Sequence, residues 1–214
     1  MSQSRFEEYF AKVVLESCFP KRFINLQVAD KPDLRCGNEI GIEVTNCMPK
    51  EAAEALNLWQ EFEKLGEKTP PRILERLEQL KDTVHLVGNE LIWEQGSYKD
   101  DDIENSPIKD FFNSVKKKVN RLNSRNADYA KMDKYELFVN SAILIPRFYR
   151  QEIIPRLQDI NNEPRKFDRI YLLTNEKNLH IFDMVNNNMS IKTLDWYLDR
   201  MAKQAYEIYQ REIK

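Results

Sequence analysis

Two carboxylates and a hydroxyl lie close together near the start of the chain. Pro32-Asp33 is followed after a turn by Asn38-Glu39-Ile40-Gly41-Ile42-Glu43-Val44-Thr45-Asn46-Cys47. With the two-residue period of a strand, Ile40, Ile42 and Val44 face one side and Gly41, Glu43 and Thr45 the other. The apolar set then meets a core, while Glu43 and Thr45 share the face left for chemistry. Asp33 at a strand bend and Glu43 on the adjoining antiparallel strand are hard oxygen donors across a hairpin, and the backbone carbonyl of Val44 adds a third. Such donors hold Mg²⁺ or Mn²⁺ against a phosphate oxygen, and phosphodiester hydrolysis further needs a positive or hydrogen-bonding group to orient the attacking water. Thr45 is placed for that role. The competing reading is structural: Glu43 as an outward charge on an edge strand and Thr45 as an ordinary β-former.

The elements that must position this group follow from periodicity and punctuation. Ser4 and Glu7 have capping-box spacing, and Phe6, Phe10, Val13, Val14 and Ser17 recur at helical intervals, which predicts a helix from about Arg5 to Ser17. Phe23 to Ala29 and Lys31 to Arg35 read as strands, and Gly37-Asn38 closes a hairpin onto Ile40 to Cys47. Helices are expected over Glu51 to Leu65, with Gly66 as the stop, and from Pro70-Pro71 to about Leu80. A hairpin is expected at 84–93 around Gly88-Asn89, then an acidic loop at about 96–106, the only candidate boundary in an otherwise single domain of 1–214.

From about Pro107 to Asn123, Ile108, Phe111, Phe112, Val115, Val119 and Leu122 form one stripe. At about 100° per residue Lys118 lies beside that stripe and Lys117 points directly away. Phe138 to Ile145 suits a buried strand, Gln151 to Gln158 a short helix, and Asp168 to Thr174 with Leu179 to Met184 a second hairpin. After Asn186-Asn187-Asn188, a final amphipathic helix is expected from Ser190 to about Ile213.

The composition excludes several classes. With 42% hydrophobic and 32% charged residues, 5 Gly and 9 Pro, the chain is neither disordered nor fibrous. No apolar run is long enough to span a bilayer and no signal segment is visible, so the cytoplasm is the expected compartment. Cys18, Cys36 and Cys47 are widely spaced without a CxxC pair and read as free thiols, while His85 and His180 are too few for a histidine metal site. A net charge of -2 argues against a protein built to coat nucleic acid. The charge is segregated, however. Lys109, Lys116, Lys117, Lys118, Arg121, Arg125, Lys131 and Lys134 face only Asp110, Asp128 and Asp133 between 109 and 134. By itself such a run is more often a solvated helix face than a phosphate-contacting surface.

At Pro32-Asp33 and Glu43-Val44-Thr45 the chain resembles the PD-(D/E)xK nuclease superfamily, with Thr45 where the motif has Lys. The resemblance covers about the first 65 residues and the region from Val115 to Ile145. It implies an α/β (α+β) fold with a restriction-endonuclease-like central mixed sheet flanked by helices, in the order α-β-β-β-α-β with helical additions. In some members the Lys has moved to a helix, and Lys50 or the basic helix are the candidates. Val115-x-x-Lys118-x-x-Arg121-Leu122 is similar to the pattern of a bacterial branch whose strand ends in Glu-Val-Thr, which makes Lys118 the relocated cation. The family's first helix also supplies an acid, Glu16 or Glu8 here, with Glu16 preferred.

What the resemblance implies is a Mg²⁺- or Mn²⁺-dependent endonuclease-like hydrolase acting on DNA by in-line attack of water on phosphorus. Asp33, Glu43 and Val44 would hold the metal, Glu16 would support it, Thr45 would orient water, and Lys118 would stabilise charge on the phosphate. No membrane and no nucleotide cofactor are expected, and a homodimer is compatible with the pattern. The alternative is an inactive member of the same fold that binds protein or DNA without cutting.

Overall fold

The apolar side of Ile40–Cys47 becomes the middle of a seven-stranded sheet. In the computed structural model, which describes residues 4–47, 50–80, 84–87, 90–93, 108–125, 128–141, 150–174, 176–194 and 197–212, the chain divides into two compact units. One comprises Met1–Cys47 with Phe111–Lys214, and the other Met48–Asp110. The single domain expected over 1–214 is thus split by an insertion that starts just past the Glu43 strand, and the acidic loop proposed as a boundary lies outside the described residues.

In the larger unit the helix α1 (Ser4–Cys18) leads into β1 (Gln27–Val28), β2 (Leu34–Cys36) and β3 (Ile40–Cys47), an antiparallel meander with Leu34 opposite Ile42. The strand expected over 23–29 shrinks to two residues because the chain is still turning there: the Phe23 amide donates back to the Phe19 carbonyl, and Phe23 and Leu26 are buried as single anchors. After the insertion comes α4 (Ile108–Asn123), then β6 (Lys134–Ser141), which pairs in parallel with β3. Helix α5 (Arg150–Ile160) leads to β7 (Phe167–Leu173), parallel to β6, and β8 (Asn178–Asp183) and β9 (Asn188–Thr193) close the sheet as an antiparallel meander before α6 (Tyr197–Glu212). The strand order is β1-β2-β3-β6-β7-β8-β9, mixed and mostly antiparallel.

The two faces have different helical covers. On one, α1 lays Val13, Val14 and Leu15 into a cluster with Ile40, Ile42, Val44, Phe138 and Tyr171, and α6 adds Ala205, Tyr209 and neighbours. Fully burying each large aliphatic side chain here stabilises by about 1.5–3 kcal/mol. On the other, Phe111, Val115, Val119 and Leu122 of α4 are buried, and the rings of Phe111 and Phe182 meet at 5.9 Å.

Two boundaries differ from expectation. Strand β6 starts at Lys134 rather than Phe138, with Tyr135 and Glu136 already in the ladder, while 142–145 lie outside the described residues. The helix expected from Ser190 is instead the edge strand β9, followed by a helix from Tyr197. Met189 and Ile191 alternate with exposed Ser190 and Lys192, a period of two that a strand of six residues shows only weakly.

The smaller unit contains α2 (Lys50–Leu65), α3 (Pro71–Leu80) and an antiparallel pair, β4 (Val84–Val87) with β5 (Glu90–Trp93). The helix expected after the Glu43 strand belongs to this unit, so the helix between β3 and β6 in the larger one is α4.

Candidate functional site

Glycine at position 41 sets the approach of the Asp33 segment to β3. A Cβ there would stand 2.5 Å from Pro32 Cγ and 2.9 Å from Met132 Cγ, so only hydrogen lets Pro32 lie directly on the strand. That contact delivers Asp33 to the edge of β3 just past the end of β2. The Val44 amide donates to Asp33 Oδ2 at 2.7 Å, replacing the ladder bond that β2 no longer supplies. A residue's N–H and C=O leave an extended strand on the same edge, so the Val44 carbonyl faces Asp33 too.

Glu43 points to the α4 side and is 1% exposed. Lys118, on the flank of the α4 stripe, reaches it: Nζ donates to Glu43 Oε2 at 2.8 Å and stands 3.5 Å from Asp33 Oδ2. Lys116 and Lys117 are exposed, as the helical angle requires. Two carboxylates and one ammonium sum to a formal charge of -1 in a place with little water. A buried pair of this kind is a poor source of stability, since desolvation offsets most of the attraction. Moreover, among the described residues Glu43 Oε1 is buried and accepts no hydrogen bond of full geometry.

Tyr129 closes the group from the loop before β6. The Ala130 amide donates to the Lys31 carbonyl at 3.1 Å and the Tyr135 hydroxyl donates to the Ala130 carbonyl at 2.7 Å, which ties this loop to the Asp33 segment. The buried Tyr129 hydroxyl lies beside the Glu43 carboxylate and interacts with it. Burial first, then the Glu43 charge, push its pKa well above the usual phenol value.

Asp33, Glu43 and Lys118 are therefore brought together, with Thr45 half-buried two residues beyond Glu43 on the same face. Glu16 is not among them. Its carboxylate accepts from Lys12 Nζ at 2.7 Å and from the Leu26 amide at 3.1 Å, bracing the entry to β1. An α1 acid that feels the Lys118 charge is Glu7, nine positions earlier, which also accepts a hydrogen bond from Asn46 at the end of β3. Burial raises the Glu7 pKa, and Asn46 and Lys118 pull it partly back. The signal for Glu7 was its place one turn before Phe10 and two before Val14, on the edge of the buried stripe. Its fit to a capping box supplied a sufficient local explanation and hid this one.

Among the described residues no three of His, Cys, Asp and Glu converge as a metal cluster. The oxygen donors on hand are the Asp33 and Glu43 carboxylates, which share Lys118, and the Val44 carbonyl on the edge of β3 that faces Asp33. All are hard oxygens, which suits Mg²⁺ or Mn²⁺ with water completing the shell. Cys18, Cys36 and Cys47, by contrast, form no disulfide and give no soft-metal set. Comparisons with protein-family models, curated proteins and solved structures give no match.

Proposed function

We propose that the chain is a divalent-metal-dependent DNA phosphodiester hydrolase of the PD-(D/E)xK type, with Lys118 standing in for the lysine missing at Thr45. The observation that carries this reading is Lys118 Nζ at 2.8 Å from Glu43 and 3.5 Å from Asp33, contributed by a helix 75 residues beyond Glu43 in sequence. The element order of the larger unit, α1-β1-β2-β3 followed by α4-β6, also supports it.

Asp33, Glu43 and the Val44 carbonyl would hold the metal, which when bound supplies Lewis-acid polarisation of the phosphate. Lys118 donates to a non-bridging phosphate oxygen and offsets the charge that grows on it as a water oxygen bonds to phosphorus and the ester oxygen opposite departs. Thr45 orients that water through its hydroxyl. The α4 flank and the Pro32 contact keep bulk water from Glu43.

Cleavage of plasmid and branched DNA with Mg²⁺ or Mn²⁺ tests the reading. Glu43→Ala and Asp33→Ala are each expected to remove activity, and equal cleavage by both variants and the parent would overturn it. The departure at Thr45 favours a second reading, a binding module of the same fold that does not cut. Calorimetric titration with Mn²⁺ separates the two, because Glu43-dependent binding belongs to the hydrolase and its absence to the binding module.

A further inference from the structure

A cavity of about 440 Å³ lined by Tyr129 opens between the 129–135 segment and the turn before β7. Its size is that of small-ligand pockets. Tyr129, Tyr135, Met132 and Pro164 give it flat apolar wall, and Lys131, Arg165 and Lys166 put cations on its rim beside Asp133 and Asp168. Both walls are braced from behind. Asn123 of α4 donates to the Arg165 carbonyl at 2.7 Å and accepts from the Arg165 amide at 3.0 Å. Asn161 makes the same reciprocal pair with Phe167, at 2.8 Å each way. The opposite wall is held by Tyr135, whose hydroxyl bridges the Ala130 carbonyl and the Met132 amide.

We propose that this cavity receives one unpaired nucleotide of the strand whose neighbouring phosphate lies at Glu43 and Lys118, with the base against the Tyr129 ring, which Tyr135 backs edge-on, and the flanking phosphates at Lys131 and Lys166. Three features select this ligand. Aromatic walls bind the π-face of any base, and adjacent ammonium groups bind the phosphates on either side of it. The Asp133 and Asp168 carboxylates accept from an exocyclic amino group, which cytosine, adenine and guanine carry and thymine lacks. A walled recess admits a base only when its pairing edge is free, which selects single-stranded or opened DNA over intact duplex. Tyr129 makes the path continuous, since it lines the cavity while its hydroxyl approaches Glu43.

The word substrate rests on the hydrolase reading, but occupancy of the cavity can be measured without it. A fluorescently labelled single-stranded oligodeoxynucleotide of mixed sequence is titrated by anisotropy in EDTA, beside its blunt duplex and an abasic strand of equal length. The single strand is expected to bind at least about 10-fold more tightly than either, and K131E/K166E, which alters two exposed side chains, to lose about 10-fold for the single strand. Equal affinity for the abasic strand or the duplex, or unchanged affinity in K131E/K166E, would overturn the proposal. Adding Mg²⁺ or Mn²⁺ to the same mixtures reads the hydrolase separately. Strand that binds through Lys131 and Lys166 yet is never cut leaves the cavity assigned and removes the hydrolase. Glu43-dependent cutting with affinity indifferent to K131E/K166E does the reverse.

Discussion

Glu43 and Glu136 sit on adjacent strands of one sheet, 1% and 0% exposed, and point to opposite faces. Both oxygens of Glu136 are occupied: Arg22 donates to Oε1, and the Tyr171 hydroxyl donates to Oε2 at 3.0 Å. Glu43 has Lys118 on one oxygen, and among the described residues its Oε1 completes no hydrogen bond, with the Tyr129 hydroxyl and a second carboxylate nearby. A saturated buried carboxylate is a finished structural joint. One that leaves an oxygen without a completed hydrogen bond and shares its cation with Asp33 carries a standing cost that folding alone does not explain. The difference is what supports reading Glu43 as part of the proposed site and Glu136 as a brace.

The largest expected effect that would break this comparison is on catalysis. Glu43→Gln keeps the shape and an acceptor for Lys118 but removes the charge. DNA cleavage should fall by about 10³-fold, roughly 4 kcal/mol of barrier, while urea unfolding moves by less than about 1 kcal/mol. A stability loss larger than the catalytic one would make Glu43 a brace like Glu136. Next comes Arg22→Ala, which leaves Glu136 buried and half-satisfied and should destabilise by about 2–4 kcal/mol near neutral pH. Burial pushes the Glu136 pKa up, and the Arg22 charge and the hydrogen bonds from Arg22 and Tyr171 draw it partly back. With Arg22 gone the folded state holds the proton more tightly than the unfolded state. The loss should therefore be small near pH 5 and grow as pH rises.

Smaller again is the pair at the open end of the sheet. Asp183 accepts from Arg169 at 2.8 Å and from the Val185 and Asn186 amides. Although burial alone would raise it, these hydrogen bonds win and hold its pKa at about 2. A lowered carboxylate stabilises above its unfolded pKa and loses that contribution as pH falls through the folded one. Asp183→Asn should cost about 1–2 kcal/mol at pH 7, discounted for the partly exposed Arg169, and nearly nothing at pH 2. The smallest change sharpens the brace itself. Tyr171→Phe removes one donor from Glu136 and should cost about 1 kcal/mol with no effect on cleavage.

The alternation from Ile40 to Cys47 is strong enough that the β3 bounds and the burial of Ile40, Ile42 and Val44 are legible in sequence. Lys118 is legible for a related reason: a stripe with several large apolar residues fixes the angle of every other position on the helix. Less local facts are not readable this way. Periodicity says which side of α1 is buried but not which end lies beside the end of β3, so Glu7 and Glu16 are equivalent until the helix is laid antiparallel on the strand. Glu136 is masked by Leu137, Phe138 and Val139, since a charged residue beside an apolar run looks like its boundary. The two-unit division is also invisible, because the insertion has helix and strand patterns as regular as the rest.

The site is made of pieces that arrive at different times. Asp33 and Glu43 are ten residues apart and meet through a hairpin, whereas Lys118 is 75 residues beyond Glu43 with a whole unit between. Closing a loop of that length costs about 4 kcal/mol of chain entropy, which a cation two residues from Glu43 would never incur. A growing chain on the ribosome thus carries both carboxylates through the synthesis of the entire second unit with no ammonium to complete them. The Asp33–Glu43–Lys118 group exists only once the insertion is made and α4 has docked.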